Sequence, residues 1–152
     1  MTEQRHGAYY LPDGVPQPAP TPDGMDAPYW EATRRHELMV QHCGACDRFQ
    51  WEPEWICGAC QSFDLDWKEV PGRGTVFAWE RVWHPVHPAL NEGVPYLVVL
   101  VELPEAGNIR MVGNLLGDPH QEVRIGAEVS AVFEDHEEDG YTIVQWELVK
   151  AS

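Results

Sequence analysis

The chain has 152 residues, 43% of them apolar, with seven tryptophans, which suits one ordinary domain or two small ones. Twenty-five acids against ten bases leave a formal charge of −15, and only two of the bases are lysines, Lys68 and Lys150. A nucleic-acid binder draws most of its affinity from Lys and Arg on phosphates, so this balance argues against that class. There is no stretch of about 18 apolar residues and no apolar run of signal-peptide length, which points to a soluble, cytoplasmic protein.

In chain order, residues 1–27 carry Pro12, Pro16, Pro18, Pro20 and Pro22 with Gly7, Gly14 and Gly24. That composition predicts an extended or disordered Pro-rich arm. Pro28 to Arg35 reads as a short helix, with Asp26 as N-cap, Pro28 in the first turn and Glu31 near the positive end. Tyr29 and Trp30 read as its buried anchors, and also as candidates for contact with a partner. Glu37 to Gln41 is a predicted strand, and Phe49 to Trp51 another. Phe63-Asp64-Leu65-Asp66-Trp67 alternates with period two and predicts a half-buried strand.

Between these strands lie the only four cysteines, as Cys43-Gly44-Ala45-Cys46 and Cys57-Gly58-Ala59-Cys60. Two C-x-x-C turns at this separation read as a zinc ribbon: each aims two thiolates at one point, and together they complete a tetrahedral site. Four thiolates leave no open coordination position, so the expected role of the Zn2+ is structural. A redox dithiol needs only one C-x-x-C, on a strand-to-helix turn. Two disulfides need an oxidising compartment. Iron fits the same tetrahedron of sulfurs. Rubredoxin-like knuckles usually carry Gly directly after the second Cys, where this chain has Asp47 and Gln61, which favours zinc. His42 adjoins the first ligand and reads as a solvated neighbour.

The remainder is β-rich. Five strands are predicted at Thr75 to Trp83, Tyr96 to Leu103, Ile109 to Asn114, Glu128 to Glu134 and Tyr141 to Val149. The apolar run from Tyr96 predicts a central strand covered on both sides. Asp118 and Pro119 start one predicted turn of helix, which Gly126 ends. Asp135 to Gly140 reads as a polar hairpin tip with a D-G signal. Five strands with a short helical link after the third outline a five-stranded OB-fold barrel, with a small sandwich as the alternative. The fold class is therefore mainly β, divided into an arm (1–27), an N-terminal helix with zinc ribbon (28–70) and a barrel domain (71–152).

Several segments, in order, resemble the DUF35 family: Pro28-Tyr-Trp-Glu-Ala, Leu38-Met-Val-Gln-His-Cys-Gly-Ala-Cys, Cys57-Gly-Ala-Cys-Gln-Ser-Phe-Asp, Gly72-Arg-Gly-Thr-Val-Phe-Ala-Trp, Val94-Pro-Tyr-Leu-Val-Val-Leu-Val-Glu-Leu, Val123-Arg-Ile-Gly-Ala-Glu-Val and Val132-Phe-Glu-Asp. The resemblance implies a rubredoxin-like zinc ribbon followed by an OB-fold domain. It also implies an accessory subunit for a thiolase-superfamily or lipid-transfer-protein-like enzyme acting on acyl-CoA, as in steroid side-chain degradation. The catalytic groups would belong to the partner. Some relatives are fused to a hydratase domain, for which this chain has no room, so the stand-alone form is expected.

No catalytic residue is assigned. Trp83-His84-Pro85-Val86-His87-Pro88 offers two histidines, but a Pro after each makes a rigid extended loop better suited to docking than to proton transfer. Trp55 and Trp83 are candidate interface anchors. Arg73, Arg81, Arg110 and Arg124 are candidates to meet CoA phosphates or acidic partner groups. The alternatives are a single-stranded nucleic-acid binder using aromatic stacking on the barrel face, and a self-sufficient acyl-CoA hydrolase or lyase using His84 or His87.

Overall fold

The computed structural model describes Pro20, Thr21 and residues 24–149. The predicted Pro-rich arm lies outside the described residues except at its end. There the Gly24 N–H donates to the Thr21 carbonyl and the Ala27 N–H to the Gly24 carbonyl, so the chain enters the first helix through turns.

Helix α1 (Ala27–Thr33) starts one residue earlier than predicted and carries Pro28 in its first turn. Asp26 stands at the N-cap position but caps with its backbone carbonyl only. Its carboxylate instead accepts the Trp30 indole N–H at 2.7 Å. The helix stops at a Schellman turn: Glu37 N–H bonds the Ala32 carbonyl, His36 N–H bonds the Thr33 carbonyl, and His36 takes the left-handed φ of 58°.

Three strands follow as a sheet in the order β2-β1-β3, with β1 at Leu38–Cys43, β2 at Phe49–Gln50 and β3 at Leu65–Val70. Strand β3 begins two residues after Phe63, which is 80% exposed. The period-two pattern placed this strand early. The Asp64 N–H turns back to the Ser62 hydroxyl and the Leu65 N–H to the Phe63 carbonyl, so Phe63 still belongs to the turn leaving the last cysteine.

The second sheet comprises β4 (Arg73–Val82), β5 (Tyr96–Leu103), β6 (Ile109–Asn114), β7 (Glu128–His136) and β8 (Tyr141–Leu148), in the order β6-β5-β4-β7-β8. All neighbours are antiparallel. A parallel bridge from Leu115 to Trp146 joins the end of β6 to β8, so the sheet nearly closes on itself as an OB-like barrel. The β4–β7 ladder is short, Arg73 to Thr75 against Glu128 to Ser130. Strand β4 carries an irregularity between Val76 and Ala78, which bends it around the barrel.

Three expectations need correction. Strand β5 is covered on one face only: Leu97, Val99, Val101 and Leu103 point inward and fully bury, while Tyr96, Val98, Leu100 and Glu102 stay half-buried. Residues 115–126 form no helix, because Arg81 takes the Pro119 and Gln121 carbonyls, both at 2.7 Å, and holds the segment as a loop. The hairpin tip is shorter than predicted, since β7 runs to His136, which is buried.

One apolar cluster spans the described residues. It joins Tyr29, Leu38, Val40 and Val70 to Val99, Val101, Met111, Val129 and Trp146. Helix α1 packs between β1 and β8. Tyr29 meets Trp51 at 4.9 Å between ring centroids, and Trp30 meets Tyr141 edge-on at 6.4 Å. Just after the helix, the His36 ring stacks on Phe133, and its Nε2 lies 3.0 Å from both carboxylate oxygens of Asp135. That bond, with the Thr142 hydroxyl donating at 2.8 Å, holds the Asp135 carboxyl below the usual range. No helix among the described residues is long and apolar enough to cross a membrane.

Candidate metal centre

The two C-G-A-C turns repeat one another bond for bond. Cys43 N–H donates to the Arg48 carbonyl and Asp47 N–H to the Cys43 carbonyl; Cys57 N–H donates to the Ser62 carbonyl and Gln61 N–H to the Cys57 carbonyl. Each turn closes on a residue with left-handed backbone, Asp47 at φ 59° and Gln61 at φ 60°. These are the positions where glycine is usual, and L residues there cost roughly 1 kcal/mol each. Strand β1 carries Cys43 directly into the first turn, and pairing of β1 with β3 brings the second turn back beside it.

The four sulfurs lie within 4.8 Å of one another, with Cys43 Sγ 3.6 Å from Cys60 Sγ and Cys46 Sγ 3.6 Å from Cys57 Sγ. A tetrahedral zinc–thiolate site with bonds of about 2.3 Å has edges of about 3.8 Å, so a donor set of this size suits such an ion. Cys43 and Cys57 are buried, Cys46 is half-buried and Cys60 is exposed. Backbone N–H groups of Cys60 and Ala59 draw the Cys57 thiol down to about 6. Cys46 is pushed up to about 12 by desolvation and by the sulfurs around it. Four thiolates this close need a cation to be ionised together, and a bound dication supplies it.

His42 corrects one reading of the sequence. It is 4% exposed rather than solvated, and its Nε2 lies 2.8 Å from the Asp47 carboxylate, not among the sulfurs. Lys68, on the neighbouring strand, reaches the same nitrogen at 3.1 Å.

The other candidate residues do not converge on one pocket. Tyr29 is buried against Trp51 and Trp30, and burial, with Asp26 nearby, raises its hydroxyl above the usual range, so it serves the core rather than a surface. Trp30 is half-buried and engaged with Asp26 and Tyr141. Trp55 and Trp83 are the two exposed tryptophans among the described residues, at 71% and 61%. Trp83 leans on His120 at 5.6 Å, with His84 and His87 exposed on the loop beyond it. Arg73 is exposed at the opposite end of β4, about 30 Å along the strand at roughly 3.3 Å per residue. There it lines a shallow groove with Ser130 and Glu147. Arg81 is committed to the loop carbonyls and lies over Trp79, which removes it from the set of free cations. Arg110 sits 3.5 Å over the Phe77 ring and bonds Glu102, and Arg124 bonds Glu122.

Sequence reasoning missed a buried polar group on the outer face of β7 and β8. Glu134 Oε1 is 2.9 Å from His136 Nε2, Glu134 Oε2 accepts from Gln145, and Gln145 in turn accepts the Asn114 N–H. His136 stacks on Tyr141 at 4.8 Å. The alternation of Val132, Glu134 and His136 opposite Gln145, Ile143 and Tyr141 was the available signal, because cross-strand partners on one face bond in this way.

A family model described as "ChsH2, rubredoxin-like zinc ribbon domain" matches residues 30–66, and one described as "ChsH2, C-terminal OB-fold domain" matches residues 67–134. The chain is 39% identical over 113 residues to a probable enoyl-CoA hydratase alpha subunit of Thermomonospora curvata, covering 74% of this chain and 34% of that protein. It is 30% identical to a 3-oxo-4,17-pregnadiene-20-carboxyl-CoA hydratase alpha subunit of Mycobacterium tuberculosis, covering 91% of this chain and 46% of that protein. The chain thus spans between a third and a half of the length of these two curated relatives. Among solved structures it is similar to a chain of an Ltp2-ChsH2(DUF35) aldolase, with a TM-score of 0.70, 33% identity, and coverage of 87% of this chain and 98% of that one.

Proposed function

Because the chain belongs to the DUF35 family, with its ChsH2-type zinc ribbon and OB-fold domains, we propose that it is a non-catalytic accessory subunit of an acyl-CoA enzyme. Its partner is a thiolase-superfamily or lipid-transfer-protein-like subunit, and the reaction is an aldol cleavage, thiolysis or acyl transfer on an acyl-CoA, with steroid side-chain degradation as the setting. The observation that carries this reading is the likeness to the Ltp2-ChsH2(DUF35) aldolase chain, nearly all of which is covered.

The metal is a single structural Zn2+ held by Cys43, Cys46, Cys57 and Cys60. When bound it supplies charge neutralisation and a cross-link, not an open Lewis-acid position. Residues 28–70 brace the partner, and the barrel from residue 71 onward helps to shape the entry for the acyl-CoA. Four reduced thiolates suit a reducing compartment, which favours the cytoplasm. Co-expression with the cognate thiolase-like subunit tests the proposal. A stable complex is expected, with acyl-CoA turnover that neither chain shows alone. A partner that is soluble and fully active by itself, with no complex on size exclusion, overturns it.

A further inference from the structure

Resting on that accessory-subunit reading, we infer that the chain grips its partner through the outer tip of the second cysteine turn, with Trp55, Ile56 and Phe63 entering an apolar socket whose rim is basic. These three side chains are 71%, 36% and 80% exposed. They form one tip: the Cys57 N–H to Ser62 carbonyl bond sets Ile56 opposite Phe63, and Trp55 precedes them. A rigid apolar projection ringed by polar groups marks an interaction site, and tryptophan is the commonest anchor of such sites.

The tip is held in place before any partner arrives. Gln41, 5% exposed, accepts the Glu54 N–H and donates to the Glu54 carbonyl, both at 3.0 Å. Gln50 accepts the Gly58 N–H at 3.1 Å. Little ordering is left to oppose binding. The other two exposed aromatic side chains, Phe77 and Trp83, differ. Phe77 is roofed by the Arg110 guanidinium, and Trp83 leans on His120.

Charge selects the occupant. Residues 47–66 carry Glu52, Glu54, Asp64 and Asp66 against Arg48, while Asp47 is met by Lys68 at 3.7 Å. Two copies meeting tip to tip would oppose these acids to one another. A partner of complementary charge is attracted and oriented instead.

The test uses the full chain with its cognate thiolase-superfamily subunit and measures Kd by calorimetry at low and high salt. The double variant Trp55→Ala/Phe63→Ala should weaken binding about 30-fold or more, the range expected for loss of a hot-spot tryptophan. Glu54→Lys should weaken it at low salt and less so at high salt. Unchanged metal content and thermal unfolding of each variant show that the ribbon is intact. A wild-type complex with unaltered Kd in the variants overturns the tip while leaving the accessory role standing. No wild-type complex overturns both. A homodimer of the lone chain that the double variant dissolves makes a second copy the occupant and overturns the basic socket.

Discussion

Replacing Gly113 by alanine should destabilise the barrel by about 2 kcal/mol, through a clash at its seam. Gly113 lies on β6, and a Cβ built there would fall 2.7 Å from Trp146 Cδ1 and 2.8 Å from Trp146 Nε1. That is about 0.7 Å short of the 3.4 Å at which ordinary contact begins. Trp146 cannot swing away, because it is 0% exposed and its strand carries the bridge to Leu115 that closes the sheet. Overpacking of this kind costs about 1–3 kcal/mol, and a ring that cannot move places it at the upper end, so that about 2 kcal/mol remains after the roughly 0.5–1 kcal/mol that alanine gains over glycine within a strand. For a chain of this size the net loss corresponds to a fall in Tm of about 4–8 °C, readable by calorimetry or near-UV circular dichroism. Trp146→Leu replaces the rigid indole that the new methyl would meet by a smaller side chain free to turn, and loses no hydrogen bond, since the buried Nε1 has no acceptor among the described residues. The double variant Gly113→Ala/Trp146→Leu should therefore be more stable than the sum of the two single losses by about 1 kcal/mol. Additive losses, or a Gly113→Ala protein as stable as the parent, would refute the close contact as the reason for this glycine.

Cys43→Ser should abolish stoichiometric metal binding and unfold the ribbon, because metal binding energy there is largely folding energy; metal analysis with amide exchange across residues 38–70 checks it, and a stable, metal-replete variant contradicts it. Gln61→Gly should raise the unfolding temperature slightly by relieving about 1 kcal/mol of left-handed strain. Asp47→Gly, at the equivalent position, should show less gain, because it also removes the carboxylate that meets His42 and Lys68. Asp135→Asn tests the link to His36. The Asp135 carboxyl is held below its ordinary value in the folded chain, so its stabilisation is present above the unfolded carboxylate pKa and is lost as pH falls through the folded one. The variant should melt below the parent at pH 6, with the gap closing below about pH 4; a gap that widens on acidification would refute the assignment.

What could be read from the chain was what depends on near neighbours. The ends of β5 and β6 match the predicted strands because turn-forming residues bound each apolar run. The convergence of the four cysteines was legible because each half of the cluster is built within a few residues. Errors arose where a distant group intervened. The segment after β6 lost its predicted helical turn to a guanidinium from β4. His42 was read as solvated because Lys68, which meets it, comes from across the β1–β3 ladder. Phe63 is a local exception: alternation cannot show that the hydroxyl of its neighbour Ser62 still holds the turn.

The repeated cysteine turns also give the metal clamp a direction. In each turn the first sulfur is sealed, Cys43 at 0% and Cys57 at 1%, and the second faces outward. A chelator or an oxidant therefore meets Cys46 and Cys60 first. The inner pair, one sulfur from each turn, still bridges the ribbon while the outer pair is being stripped. A bound metal would thus be open to attack from the solvent side, at the outer pair of sulfurs.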